Sequence, residues 1–304
     1  MLDVHQLNVF LVAAETLSFT QAAQRLHMTQ PSVSQHIQAL EHHFDMHLFL
    51  RMGRTLELTE AGLALLPQAR EAVALSIRID EMMESLKGEV YGHLMVGCST
   101  TPGKYILPQL LARFHRDFPQ VRVTCQVTPQ LDALRMVSEG DVHFALFSMH
   151  RETFPDVESL AFLCDPIVLI VPLDHPWAER DEIEACELLE SDFIMRENTS
   201  GTYNAVREAL AQVGVAITDL NILITLGNAE AIALAVQEGI GVGFISKMVV
   251  DRICRERVAE VKVRGVNICR EIYIGRNTRR PSTTAQTAFW NFLTSKGVKL
   301  LETA

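Results

Sequence analysis

SFTQAAQRLHMTQPSVSQHIQALE, residues 18–41, carries two short helical patterns separated by three residues. Ala22, Ala23 and Leu26 share one face of the first. Thr29 is placed to cap the second, and Pro31 falls in its first turn, where a missing N–H costs nothing. Val33, Ile37, Leu40 and Phe44 then recur at i, i+4, i+7 and i+11, the stripe of one helical face. Upstream, Leu7, Phe10, Leu11 and Ala14 form a similar stripe, with Asp3 and Gln6 placed as a capping box. Three helices with a tight turn before the last make a helix-turn-helix. The stripe of the third helix faces the first two, so its polar side faces away. Ser and Gln side chains there can bond base edges and phosphates. Gln35 is the candidate base reader. Gln30, Ser32 and Ser34 suit phosphates, and Thr29, Pro31 and Gln38 complete the surface. On spacing alone, an ordinary polar helix face competes with this reading.

LFLRMGRTLELTEAG, residues 48–62, alternates around Met52-Gly53 and reads as a small hairpin, or wing. Arg51 and Arg54 lie at its tip, where they suit a phosphate or minor-groove clamp. Thr59 caps a helix reaching about Leu86, striped by Leu66, Ala69, Val73 and Ile77 and kinked by Pro67. Such a helix is about 40 Å long at ~1.5 Å per residue. It cannot bury its stripe alone, so a dimer is expected. A two-fold dimer presents two recognition helices to two half-sites of duplex DNA. Bulk charge does not help. The chain of 304 residues has a formal net charge of −10, and residues 1–89 hold 6 Lys/Arg against 11 Asp/Glu. Any nucleic-acid contact must come from a few placed side chains.

Residues 18–62 closely resemble the N-terminal module of LysR-type transcriptional regulators. Two positions depart from that pattern: Asp45 stands where a helix-ending Gly is usual, and Leu50 where an acidic residue usually precedes the arginine. Asp tolerates the left-handed conformation better than most residues. Beyond a hinge at 87–92, strand and helix patterns alternate in two βαβ sets, implying parallel sheet under helical cover. The resemblance extends here. It implies an α/β chain with an N-terminal winged helix-turn-helix, a long linker helix and a two-lobed effector domain similar to periplasmic binding proteins. The expected boundaries are 1–59, 60–88 and 89–304, with lobe I at about 91–163 and 267–304 and lobe II at about 164–266. STTPGKYILPQLLARFHRDFP and GNAEAIALAVQEGIGVGFIS resemble the subgroup of carbon-fixation and sulfur-assimilation regulators. A homodimer or homotetramer, promoter DNA, a small metabolite and RNA polymerase are the partners this resemblance implies.

Two polar clusters follow strands and open helices: Cys98, Ser99, Thr100 and Thr101, then Asn198, Thr199, Ser200, Gly201 and Thr202. Both place hydroxyls and N–H groups at the positive end of a helix dipole, suiting a small anion between the lobes. Asn228 and Glu230 open a third helix and are candidate polar contacts; Phe147, Ser148 and Phe244 are candidate walls. Arg196 reads as a surface ion pair, a charge for the cleft being the other reading. Plain N-capping competes throughout.

Other chemistries find little support. HExxH, GxSxG and GxxxxGK[ST] are absent, so no catalytic residue or cofactor is expected. Gly239-Ile240-Gly241-Val242-Gly243 precedes a strand rather than following one, unlike a dinucleotide site. His43 and His47 stand i, i+4 at a helix end and make a poor metal pair. The six cysteines include no CxxC, which argues against a disulfide scaffold and for a reducing cytoplasm. Cys98 beside a helix N-terminus leaves a redox-sensing regulator as an alternative. A transport-type binding protein or an enzyme would share the α/β halves but not the DNA reader. No apolar run approaches the ~20 residues of a membrane helix, and the N-terminus lacks a basic n-region, so neither span nor signal peptide is expected.

Overall fold

The computed structural model describes residues 1–52, 55–148, 154, 156–279 and 281–297. The chain divides into two compact units, Met1–Glu89 and Val90–Ala304. Among the described residues no helix is long and apolar enough to cross a membrane.

In the first unit, α1 spans Val4–Thr16, α2 Phe19–Arg25 and α3 Gln30–Phe44. Each begins on a side-chain cap. Asp3 accepts the N–H of His5, Ser18 that of Gln21, and Thr29 that of Ser32. α3 ends on Asp45 at φ 50° and ψ 39°, so this Asp does occupy the left-handed position. The carboxylate of half-buried Glu41 accepts the N–H groups of Leu48 (2.8 Å) and Phe49 (3.4 Å), tying α3 to the strand that follows. β1 (Phe49–Met52) pairs antiparallel with β2 (Thr55–Leu58). Thr59 then caps α4, Glu60–Ser85. Gly62 is required in its first turn, because a Cβ there would lie 2.3 Å from the Leu48 carbonyl oxygen. Leu7, Phe10, Val33, Ile37 and Leu40 form the core with Ala69 and Val73 of α4. Further along α4 the expected stripe fails to bury: Ile77 is half exposed, as are Leu75, Met82 and Met83.

The second unit runs β3 (Gly92–Cys98), α5 (Leu107–Asp117), β4 (Val121–Val127), α6 (Gln130–Glu139), β5 (Phe144–Phe147), β6 (Val157–Val171), β7 (Glu182–Ile183) and β8 (Asp192–Arg196). It continues α7 (Gly201–Gln212), β9 (Asn221–Leu226), α8 (Ala229–Gln237), β10 (Gly243–Ser246), α9 (Lys247–Val249), β11 (Ala259–Val263), β12 (Ile268–Asn277) and α10 (Thr284–Phe292). A wide helical turn at Pro102–Ile106 leads into α5. The main sheet has the order β4-β3-β5-β12-β6-β11-β7, with β10 also on β6, while β8 and β9 form a parallel pair. Two sets of apolar residues make two lobes. One packs Leu94, Phe114, Phe144 and Phe289; the other packs Leu169, Phe193, Leu210 and Phe244.

β6 and β12 run through both lobes. Their antiparallel pairing extends from Ile268 opposite Ile167 to Asn277 opposite Val157. The apolar run at 168–171 marks only the end of this strand; β6 begins eleven residues earlier, at Val157. Across this crossover Cys164 and Cys269 are joined as a disulfide, with Cα atoms 5.7 Å apart. The expectation of scattered free thiols therefore fails for this pair. Its members are 105 residues apart, and only the strand pairing brings them together.

Candidate functional site

The third helix of the first unit buries Val33, Ile37 and Leu40 on one side. Thr29, Gln30, Pro31, Gln35 and Gln38 are exposed on the other, with Ser32 and Ser34 half-buried. Gln30 donates from Nε2 to Ser34 Oγ at 2.8 Å, which orients both side chains. A groove of about 400 Å³ runs beside this face, lined by Ser34, Gln38, Phe49 and Leu50 among others. Arg51 lies on β1 opposite Leu56. The Arg51 side chain and the whole of Arg54 lie outside the described residues.

In the second unit a cavity of about 350 Å³ opens between the lobes. Ser99, Thr100 and Thr101 line it from one lobe, beside Thr128, Gln130 and Ser148. Thr199, Ser200 and Gly201 line it from the other, beside Arg196 and Glu197. Arg270 of β12 lines it as well. The two clusters that follow strands are thus brought to one space. Ser200 caps α7 by accepting the Tyr203 N–H, so the positive end of α7 borders the cavity. The lobes touch around it. Gln130 donates from Nε2 to the Thr199 carbonyl at 2.9 Å and accepts from Ser148 Oγ at 2.9 Å. On a further cross-lobe contact, Lys104 Nζ is 2.9 Å and Tyr105 Oη 3.0 Å from Glu230 Oε1. Burial acts to raise the Glu230 carboxyl, but the bonds from Lys104, the backbone and Tyr105 outweigh it and hold the group below its usual range. Burial and that same bond to Glu230 push the Tyr105 hydroxyl up.

Sequence reasoning missed Arg270, as it missed Thr128, Gln130 and Glu197. Arg270 is 5% exposed and donates from Nη1 to Thr202 Oγ1 at 2.8 Å, and from Nη2 to Asp165. Asp165, fully buried, also accepts from Ser246 Oγ at 2.6 Å. Arg270 Nε is buried and, among the described residues, has no hydrogen-bond partner. A buried donor without a partner carries a desolvation cost, which an acceptor in the cavity would remove. Arg196, read from sequence as a surface pair, is instead 8% exposed and lines the cavity, bonded from Nε and Nη2 to Glu197 at 2.9 and 2.8 Å. Its strand, β8, is buried over four of five positions, Arg196 among them.

Several sequence candidates sit elsewhere. Cys98 is a core residue: its Sγ is 3.7 Å from the Gln126 carbonyl, and burial, reinforced by Cys125, pushes the thiol up to about 12. The thiolate required by the redox reading is therefore disfavoured, because loss of solvation outweighs the helix end. Phe147 and Phe244 are buried against Tyr273 and Phe193 rather than lining the cavity, being on the core side of their strands. Thr202 lies behind Arg270 rather than at the cavity surface. Asn198 is exposed outside the lining, and Asn228 caps α8 through the Ala231 N–H, while neighbouring Gly227 lines the cavity. Glu230 serves the contact between lobes.

Comparison with known proteins fits both halves. Residues 4–63 match the bacterial regulatory helix-turn-helix protein of the lysR family, and residues 87–297 match the LysR substrate binding domain. The chain is 32% identical over 286 residues to an uncharacterized HTH-type transcriptional regulator of Methanocaldococcus jannaschii, covering 94% of this chain and 96% of that one. It is 30% identical over 300 residues to the RuBisCO operon transcriptional regulator of Allochromatium vinosum, covering 98% and 97%. The regulatory domain of Synechocystis PCC6803 CcmR, solved in complex with 2-PG, superposes with a TM-score of 0.60 at 26% identity, covering 67% of this chain and 96% of that one. The chain belongs to the LysR family: it is a LysR-type transcriptional regulator with an N-terminal helix-turn-helix and a C-terminal effector-binding domain.

Proposed function

We propose that this regulator reads promoter DNA with α3 and the wing, and that a small anionic metabolite held between the lobes controls it. The observation that carries the anion is Arg270, a buried guanidinium on the cavity wall whose Nε has no partner among the described residues. Arg196, the hydroxyls of Ser99 and Thr100 and the positive end of α7 reinforce it. Glu197, 37% exposed, can turn to solvent and leave Arg196 to the ligand. CcmR, similar over the effector-binding domain, takes 2-PG, which supports a small acidic ligand here. The reading assigns no catalytic residue and no cofactor. Within it, residues 1–59 bind DNA, 60–88 pair with a second copy through the exposed apolar side chains of α4, and 89–304 bind the effector. Two or four copies act in the cytoplasm on paired half-sites, where RNA polymerase is the further partner. Closure of the lobes is a population shift, and its size is set by the ligand's differential affinity for two states.

Calorimetric titration of the full-length protein with orthophosphate, sulfate, 2-PG and small carboxylates tests the anion. At least one is expected to bind, with affinity falling about tenfold in Thr100→Val and in Arg196→Gln, as for the loss of a charged or polar contact. DNA affinity should be unchanged in both. No binding by any anion sinks this reading. For the DNA face, Gln35→Ala should lower the ratio of specific to nonspecific affinity by roughly 5- to 150-fold, about 1–3 kcal/mol for one base contact. A ratio equal to wild type in a competition binding assay removes Gln35 as the base reader.

A further inference from the structure

Around the lobe junction, exposure alternates along both crossing strands. On β6, Cys164 and Pro166 are exposed and Asp165 between them is buried. On β12, Cys269 and Glu271 are exposed and Arg270 between them is buried. In register, Arg270 stands opposite Asp165, Glu271 opposite Cys164, and Cys269 opposite Pro166. The inner face of this strand pair therefore holds the Asp165–Arg270 ion pair, and the outer face holds the Cys164–Cys269 disulfide. The bond closes a separation of 105 residues, which contains the whole of the second lobe. It ties the strand by which the chain enters that lobe to the strand by which it leaves.

We propose that Cys164 and Cys269 form a reversible thiol–disulfide site that staples the lobe junction and exchanges with low-molecular-weight disulfides of the glutathione class. Solvent exposure of both residues leaves the bond open to attack, which distinguishes it from a buried structural bridge. Its Cα separation of 5.7 Å falls within the range a disulfide spans, so the pair can close without moving the strands. Oxidation proceeds in two exchanges. The thiolate of one cysteine attacks a sulfur of glutathione disulfide, forming a mixed disulfide and releasing one glutathione thiolate. The thiolate of the second cysteine attacks the protein sulfur of that mixed disulfide, forming the Cys164–Cys269 bond and releasing the second glutathione. The two protons from the protein thiols pass to the two glutathione thiolates, and two electrons move from the protein pair to the glutathione pair. The reverse sequence reduces the bond. In the reduced state the junction is held by ladder hydrogen bonds and the Asp165–Arg270 pair; in the oxidised state a covalent cross-link is added directly behind that pair. Cys98 and Cys254 are buried and take no part.

The test uses the full-length protein, equilibrated over graded ratios of reduced to oxidised glutathione, quenched with N-ethylmaleimide, digested and weighed by mass spectrometry. A linked peptide pair containing Cys164 and Cys269 is expected to rise from absent to dominant across the series. It should vanish in Cys164→Ser and persist when Cys125 and Cys186 are both replaced by Ser. Alkylation of Cys164 and Cys269 at every ratio overturns the proposal. So does a linked pair that survives a large excess of reduced glutathione, because the bond is then permanent. Hydrogen exchange tests the staple separately: amides of 163–166 and 268–271 should exchange about tenfold more slowly in the oxidised protein than in the reduced protein or in Cys164→Ser. Equal exchange in all three removes the mechanical effect. Neither readout measures binding in the cleft, so failure here and failure of the cleft reading are separately visible.

Discussion

A Cβ on Gly201 would lie 1.8 Å from Ser148 Oγ and 2.8 Å from Ser148 Cβ. These residues belong to opposite lobes, and Ser148 also bonds Gln130, which reaches back to Thr199. The missing side chain is thus what allows the lobes to approach at this point. Gly201→Ala is expected to hold the lobes apart and weaken anion binding about tenfold. The double variant with Ser148→Gly should regain most of that loss, a coupling of the kind neighbouring residues show. Identical affinities for wild type, single and double variants in calorimetry contradict the contact. Arg270 works on a different principle. A buried guanidinium is tolerated because Asp165 and Thr202 satisfy it, and its planar fork leaves Nε for another acceptor. Removing either partner of a buried pair strands the other charge, so this pair is unsuited to truncation as a test of binding.

α3 shows how local chemistry sets an element's limits. Thr29 starts it, Pro31 fits its first turn, and Asp45 stops it in the left-handed conformation. The left-handed region costs a non-glycine residue roughly 1–2 kcal/mol, while glycine adds about 0.4–1 kcal/mol of unfolded-state entropy. Asp45→Gly is therefore expected to raise stability by about 0.5–1 kcal/mol. A denaturant midpoint that falls would show that the Asp side chain contributes more than its strain costs. β6 illustrates the opposite case. Its first half is largely exposed, and Asp165-Pro166 reads as a break, since proline is confined to strand edges and irregular positions. No local signal marks these residues as a strand, because their order comes from pairing with β12, more than a hundred residues away.

Across the whole effector-binding unit, closure of the lobes rests on few polar links. Lys104 and Tyr105 hold Glu230, and the carboxyl is held below its ordinary value of 4.5. A lowered carboxylate value contributes stability above the unfolded value, and that contribution is lost as pH falls through the folded value. Wild type and Glu230→Gln should therefore differ in urea midpoint near neutral pH and converge as pH falls below about 4.5. A difference that is absent at neutral pH, or that grows in acid, rules the link out. The same unit explains what was and was not legible in advance. Capping, helical stripes and strand alternation act over a few residues, so α1–α3, the wing, β4, α7, α8 and the two polar clusters could be read directly from the chain. The sequence by itself determined these elements and the family resemblance. The tertiary structure alone decided that Arg270 meets Thr202 and Asp165 at separations of 68 and 105 residues, that Arg196 turns inward, and that Cys164 reaches Cys269. Those contacts depend on two strands crossing between lobes, and the path of a chain through a sheet leaves no periodic trace in the residues that follow it.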